Sequence, residues 1–162
     1  MEYELIRTDG SHHGFLTLIK ELDRELRSYE SDHDDVYITQ NIVPESVYVS
    51  LILHDDQALA CACLRAYEEK DFELKRMYVL PGHRGKGLSR RILADLERWA
   101  LELGRERIIL ETGDMLKEAI GLYSSSGFER INNYGHYRDI QESICYAKKL
   151  QLESIKMEKD SK

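Results

Sequence analysis

Val79-Leu80-Pro81-Gly82-His83-Arg84-Gly85-Lys86-Gly87-Leu88-Ser89-Arg90-Arg91 joins two kinds of pattern. Before it, Phe72, Leu74, Met77 and Val79 sit among polar neighbours, which predicts a strand over Phe72–Leu80. Pro81 and Gly82 end that strand. After it, Leu88, Ile92, Leu93, Leu96, Trp99, Ala100 and Leu103 recur at helical spacing up to Gly104. A strand therefore runs through a glycine-rich turn straight into a helix. The backbone N–H groups at a helix start lack partners one turn back, and the helix dipole favours negative charge there. Gly85 and Gly87 let an oxyanion approach without a Cβ in the way. Arg84, Lys86, Arg90 and Arg91 add four positive charges within eight residues. The segment suits a di- or triphosphate-like ligand.

Downstream, Ile108-Ile109-Leu110 predicts a short buried strand over Arg107–Glu111. Leu116, Ala119, Ile120 and Tyr123 mark another helix face, closed by Gly127. Phe128–Ile131 and Ile140–Leu150 read as the last strands, bridged by a turn over Asn132–Arg138. Upstream, Val47–Leu53 and Ala58–Ala66 form a predicted hairpin around His54-Asp55-Asp56-Gln57, and Glu68–Asp71 is a second turn. Glu2–Thr8 alternates like a first strand. Ser11 is placed to cap a helix whose face carries Phe15, Ile19, Leu22 and Leu26. Ser28–Asp35 reads as an acidic surface loop or a short, weak helix. Three successive strands on short turns imply an antiparallel meander. The strand–helix–strand passage from Phe72 to Glu111 implies one parallel pair. The expected fold is α+β: a mixed, mostly antiparallel sheet with one parallel pair, flanked by helices.

The chain has 162 residues, a net charge of -7, 42% apolar residues and 33% charged residues. That is the size of one domain, expected over residues 1–150, with a charged tail over 151–162. The ten tyrosines and the apolar fraction exclude bulk disorder. The longest apolar run, Ala58–Leu64, is far short of the roughly 18 residues of a membrane span. The opening residues read as a strand and not a signal peptide, so a cytoplasmic location is expected, with no membrane partner. The acidic balance argues against nucleic acid. Cys61, Cys63 and Cys145 are an odd count, read as reduced core thiols. Cys61 and Cys63 share one strand face, and no metal set completes around them. His12-His13 read as surface residues before metal ligands.

Three phosphate motifs compete for the turn. A Walker A loop needs four residues between its glycines, and the spacing is wrong. A Rossmann fingerprint would put its third glycine at Arg90 and would need a parallel sheet. The third is the Arg/Gln-x-x-Gly-x-Gly/Ala pyrophosphate loop, matched by Arg84-Gly85-Lys86-Gly87-Leu88-Ser89 except at Ser89. The plain alternative is a basic helix start with glycines for a tight turn.

From Tyr3 to Leu150 the chain resembles the GCN5-related N-acetyltransferase (GNAT) superfamily. Glu73–Pro81 resembles its central strand running into the pyrophosphate loop. Leu122-Tyr123-Ser124-Ser125-Ser126-Gly127-Phe128 resembles its Leu-Tyr-x-x-x-Gly-Phe signature. Leu110-Glu111-Thr112-Gly113 and Glu118-Ala119-Ile120 resemble a bacterial subgroup of small members. Two positions depart from the pattern: Ser89 replaces Gly or Ala, and Leu116 replaces a polar residue near the pantetheine arm.

The resemblance implies the acyl-CoA N-acyltransferase fold and transfer of acetyl from acetyl-CoA, the cosubstrate, to a primary amine in a ternary complex, without a metal. It implies that the backbone of Met77, Tyr78 and Val79 holds the pantetheine arm. It assigns the pyrophosphate to Arg84, Gly85, Lys86, Gly87, Leu88, Ser89 and Arg90. It places Tyr123 beside the leaving sulfur as general acid; the other reading is a core tyrosine. Glu73 is the candidate base, with Glu111 second; the other reading of Glu73 is a solvent-facing strand carboxylate. Asn133–Tyr137 is expected to wall the acceptor pocket, with Gly135 at positive φ. A lysine-like amine is neutral in only about one molecule in 2,500 at pH 7, which favours a base or water relay. The acceptor is a small-molecule or peptide amine, and the resemblance admits a homodimer. The acidic run Glu30–Asp35 suggests a cationic acceptor. The alternative function is a noncatalytic acyl-CoA sensor or interaction module on the same fold.

Overall fold

The computed structural model describes residues 1–29 and 31–151. The expected tail over 151–162, beyond Gln151, and the first residue of the acidic run Glu30–Asp35 lie outside them. The elements in chain order are β1 (Glu4–Thr8), α1 (His13–Leu26), α2 (Asp34–Asn41), β2 (Tyr48–His54), β3 (Gln57–Ala66), β4 (Asp71–Val79), α3 (Leu88–Glu102), β5 (Arg107–Gly113), α4 (Lys117–Ser125), β6 (Glu129–Ile131) and β7 (Ser143–Lys149). Among the described residues, seven strands form one sheet in the order β1-β2-β3-β4-β5-β7-β6. The β1–β2, β2–β3, β5–β7 and β6–β7 pairs are antiparallel. The β4–β5 pair is parallel over Asp71↔Arg107, Phe72↔Ile108 and Glu73↔Ile109, as the helical crossover through α3 requires. The mixed sheet with a single parallel pair and flanking helices is the fold that the sequence implied.

The chain divides into two compact units, Met1–Arg65 with Leu74–Leu93 and Ala66–Glu73 with Ala94 onward. In the first, Phe15 and Leu18 of α1 pack with Val49, Leu51, Cys61, Cys63 and Tyr78 in one apolar cluster. Cys61 and Cys63 do lie on one face and are free, buried thiols. Burial pushes the Cys61 thiol far above its ordinary range, so it is inert at neutral pH. The β2–β3 hairpin turns on Asp55 and Asp56, both left-handed at φ 47° and 63°, with His54 opposite Gln57. Two successive positive φ values are what a two-residue type I′ turn needs, and aspartate tolerates them. Leu59 is an extra residue in the ladder, since Ile52 faces Ala60 and Leu53 faces Ala58.

In the second unit, Ile108, Ile109 and Leu110 of β5 are at most 2% exposed. Leu96 and Ala100 of α3, Phe128 and Tyr146 are buried with them. Asp71 accepts a two-pronged contact from Arg107, at 3.1 and 2.7 Å, which ties the first residues of β4 and β5 together.

Four expectations need correction. The cap of α1 is His12, not Ser11: its Nδ1 accepts from the Gly14 N–H at 2.9 Å. Ser11 bonds Asp9 instead, through both its N–H and its hydroxyl. His12 is therefore half-buried and structural, not a plain surface histidine. Of the two readings of Ser28–Asp35, the short, weak helix does form, but later, as α2 over Asp34–Asn41; none of its residues is buried, so no apolar stripe marked its bounds. Leu103 lies past the end of α3 and is exposed. The turn after β6 contains a short 3-10 segment over Gly135–Tyr137, and β7 starts at Ser143 rather than Ile140.

Candidate functional site

The two units carry two sets of sequence-predicted residues. In the first unit, β4 ends on Met77, Tyr78 and Val79. Pro81–His83 makes one 3-10 turn, and the loop Arg84–Gly87 leads into α3. Gly85 and Gly87 both sit at φ +77°. A Cβ built on either meets nothing within 4 Å, so the left-handed backbone, not crowding, demands glycine. The open side of the loop is what a close-approaching oxyanion needs. The first rung of α3 runs from the Arg91 N–H to the Gly87 carbonyl at 3.2 Å. The Leu88 and Ser89 amides precede that rung and point out of the helix start. Lys86, Arg90 and Arg91 are exposed around it. Leu88 itself is 2% exposed, so its side chain anchors the helix and only its backbone faces a ligand.

Arg84 behaves differently. Its Nε donates to the Val79 carbonyl at 2.8 Å, and its two terminal nitrogens donate to the Glu25 carboxylate of α1 at 3.2 and 2.8 Å. Its guanidinium lies 5.5 Å from the Tyr78 ring centroid. Hydrogen bonding to Arg84 holds the Glu25 carboxyl below the usual carboxylate range. Burial and the same carboxylate push the Tyr78 phenol up. Arg84, the first of the four positive charges read from the sequence, is thus paired with an acid.

Strand β4 is also broken in its alternation. Arg76 has φ +61°, a left-handed residue inside the strand. Its carbonyl accepts from the Cys61 thiol, and its guanidinium reaches α1 at the Ile19 carbonyl (3.1 Å) and Asp23 (2.6 Å). The kink separates Phe72 and Leu74 from Met77 and Val79, which fall on the other parity of the strand.

In the second unit, Glu73 is 1% exposed, so it is not a solvent-facing carboxylate. Its Oε2 accepts from the Tyr134 hydroxyl at 2.6 Å. Tyr134 stands edge-on to Tyr67 and Tyr137, at 5.4 and 5.8 Å between centroids. Burial, then the Glu73 charge, drives its phenol far above the ordinary value, so it stays a donor. Asn133 fixes the loop by donating to the carbonyls of Tyr137, Ile140 and Ser143. Gly135 has the positive φ, +53°, expected of it. The Tyr134–Glu73 bond was not foreseen, although Tyr134 was named as part of a wall. Cys145 lies in the same buried neighbourhood; burial raises its thiol to about 11.

Tyr123 ends the buried face of α4 at 6% exposure. It packs edge-on to Phe128 at 5.7 Å, and its carbonyl accepts the N–H groups of Ser126 and Phe128. Gly127 makes that turn at φ +88°, and the Lys148 ammonium caps it on the Ser126 carbonyl. Burial, then the Glu111 charge, pushes the Tyr123 phenol well above its ordinary value, so it keeps its proton at neutral pH. Leu116 stands at the N-cap of α4 with no side-chain cap bond, as an apolar residue must.

Residues 15–128 match the acetyltransferase (GNAT) family model. The chain is 30% identical over 122 residues to the IAA acetyltransferase of Azospirillum brasilense, covering 74% of this chain and 80% of that protein. It is 45% identical over 71 residues to the uncharacterized N-acetyltransferase YjgM of Escherichia coli. That match covers 44% of this chain and 42% of YjgM, so it spans less than half the length of that relative. A Klebsiella pneumoniae structure assigned to the acyl-CoA N-acyltransferases superposes with a TM-score of 0.78 at 27% identity, covering 92% of this chain and 98% of that one. The strand–turn–helix loop, the kinked β4 and the Leu-Tyr-x-x-x-Gly-Phe turn all fall within the matched span, and the chain belongs to the GNAT acetyltransferase family.

Proposed function

We propose that the protein transfers an acetyl group from acetyl-CoA to a primary amine. The observation that carries this reading is the loop at the end of β4: two left-handed glycines with open space above them, followed at once by the amides that start α3. Such a loop holds a pyrophosphate through its backbone. Gly85 through Arg90 would supply those contacts. Met77, Tyr78 and Val79 would pair with the pantetheine arm as an added strand does, and an N–H near Val79 would meet the developing oxyanion. The cosubstrate supplies the activated thioester. The amine nitrogen attacks its carbonyl carbon, and the carbon–sulfur bond breaks.

Glu73 is proposed to take the amine's proton, directly or through a water. Its burial and its bond from Tyr134 support a carboxylate held in one place. Tyr123 is proposed to face the leaving sulfur. Its raised phenol is protonated at neutral pH, so its hydroxyl hydrogen-bonds the negative charge as it grows on sulfur and, as general acid, gives the leaving thiolate its proton. Supplying the neutral form of a lysine-like amine at pH 7 requires about 4.6 kcal/mol, which a positioned base offsets in part. We further propose one domain over residues 1–150, a cytoplasmic enzyme and a cationic amine acceptor drawn by the acidic surface.

Two measurements test this. Calorimetric titration with acetyl-CoA should give saturable binding. Release of free thiol with a panel of amines, with mass spectrometry of the products, should identify an acceptor gaining 42 Da, about the mass of an acetyl less a proton. Binding without thiol release across the panel would favour the noncatalytic sensor.

A further inference from the structure

We propose that Arg84 and Glu25 act as a positioning pair for the cofactor loop, and that Arg84 is not a ligand of the cofactor's phosphates. The inference rests on the acetyl-CoA reading above. Arg84 opens the basic loop, so its position in the sequence suggests an anion contact. Its geometry points elsewhere. Three of the five guanidinium donors are committed: Nε to the Val79 carbonyl, and one hydrogen on each terminal nitrogen to Glu25. The guanidinium carbon lies 5.5 Å from the Tyr78 ring centroid. Arg84 and Glu25 together carry no net charge, so the pair offers an anion little long-range attraction.

The pair does fix geometry. Val79 is the last residue of β4, and Arg84 begins the turn that presents the loop amides. The Nε–Val79 bond closes the strand end onto the loop start over five residues. Glu25 holds that closure from the last turn of α1. Arg76, on the other side of Met77–Val79, makes a matching contact to Asp23 and the Ile19 carbonyl. Two arginines therefore bracket the segment proposed to hold the pantetheine arm, and both are anchored to one helix. Loss of Glu25 would let the loop wander, and the glycines at φ +77° would no longer be held in the conformation an anion needs.

The two roles for Arg84 give opposite signs for one variant. If Arg84 were a phosphate ligand restrained by Glu25, then Glu25→Gln would free a cation and tighten acetyl-CoA binding. If the pair positions the loop, Glu25→Gln weakens binding although it makes the protein less acidic. Calorimetric titration of acetyl-CoA into the full-length chain should show Kd raised roughly five- to tenfold for Glu25→Gln. Arg84→Gln should weaken it by a similar factor, and the double variant should be no worse than the weaker single one. The exchange Glu25→Arg with Arg84→Glu should recover part of the lost affinity, because the pair is rebuilt; a ligand role would make it the weakest binder of all. Should Glu25→Gln fail to fold by circular dichroism, Glu25→Asp withdraws the carboxylate by one methylene and should weaken binding in the same direction. Unchanged or tighter binding by Glu25→Gln, or additive losses in the double variant, overturns the positioning role while leaving the acetyl-CoA reading intact. Absence of binding by the unaltered chain overturns both.

Discussion

The buried Glu73 carboxylate holds the Tyr134 hydroxyl at 2.6 Å, and that bond survives when the carboxylate is exchanged for an amide. Glu73→Gln is therefore expected to fold and to lose the proton acceptor alone. Its turnover should fall by about 10²- to 10⁴-fold at neutral pH. The deficit should shrink as pH rises toward the acceptor's own pKa, since a neutral amine needs no base. A rate profile against pH checks this, and a deficit constant with pH would remove Glu73 as the base. Tyr123 makes a different prediction. Phenylalanine keeps its edge contact with Phe128 and removes only the hydroxyl. Tyr123→Phe should lower kcat by tenfold or more, by about 1.4 kcal/mol of barrier at least, with acetyl-CoA affinity unchanged. Unchanged turnover over the full pH range would take Tyr123 out of the mechanism. Both residues were legible as candidates because the motifs around them resemble those of the GNAT family, and the resemblance implies roles at those positions. The Glu73–Tyr134 bond was not, because 61 residues separate its ends and only the fold brings them together.

Helix α1 depends on contacts at both ends. At its start, Nδ1 of His12 accepts from the Gly14 amide, so His12→Ala should cost about 1 kcal/mol and His12→Asn rather less, read from denaturant midpoints. At its other end, Arg84 depresses the Glu25 carboxyl from its ordinary value of 4.5. A depressed acid contributes stability that is fully present above the unfolded value and is lost as pH falls through the lower folded one. The melting temperature of the unaltered chain should thus exceed that of Glu25→Gln at pH 6, and the gap should close as pH falls below 4.5 through the depressed folded value. A gap that widened on acidification would contradict the pair. The elements themselves show what a sequence conveys. The central strands β3 and β4 were legible as apolar or β-rich runs ended by turn residues, and α3 as a helical apolar stripe. The kink in β4 left a trace too: the apolar residues shift parity between Leu74 and Met77, the signature of one extra residue at Arg76. Helix α2 left none, since none of its residues is buried and propensity alone is a weak signal. Ser11 was read as the cap because serine is the commoner choice, and only geometry shows the ring of His12 in that place.

At the scale of the molecule, a net charge of -7 coexists with a basic helix start. Arg84 is paired with Glu25, while Lys86, Arg90 and Arg91 are exposed beside the amides of the loop. A site of three exposed cations on an acidic body should discriminate by the size of the anion. A compact ligand such as acetyl-CoA meets only the local positive field. A long polyanion must also lie against acidic surface, within a Debye length of about 8 Å at physiological salt. Acetyl-CoA at 100 times its Kd should stabilise the fold by about 2.7 kcal/mol, or roughly 5–11 °C in Tm for a chain of this size. Raising salt from 0.05 to 0.5 M should shrink that shift only in part, because the contacts proposed for the backbone amides and the thioester arm are of a kind that salt screens weakly. A single-stranded oligonucleotide at equal phosphate concentration should give no shift at any of these salts. An oligonucleotide shift that rivalled acetyl-CoA would mean that the cations act as an open patch. Acetyl-CoA stabilisation that persists at high salt would place the recognition where the glycine loop puts it, in the backbone.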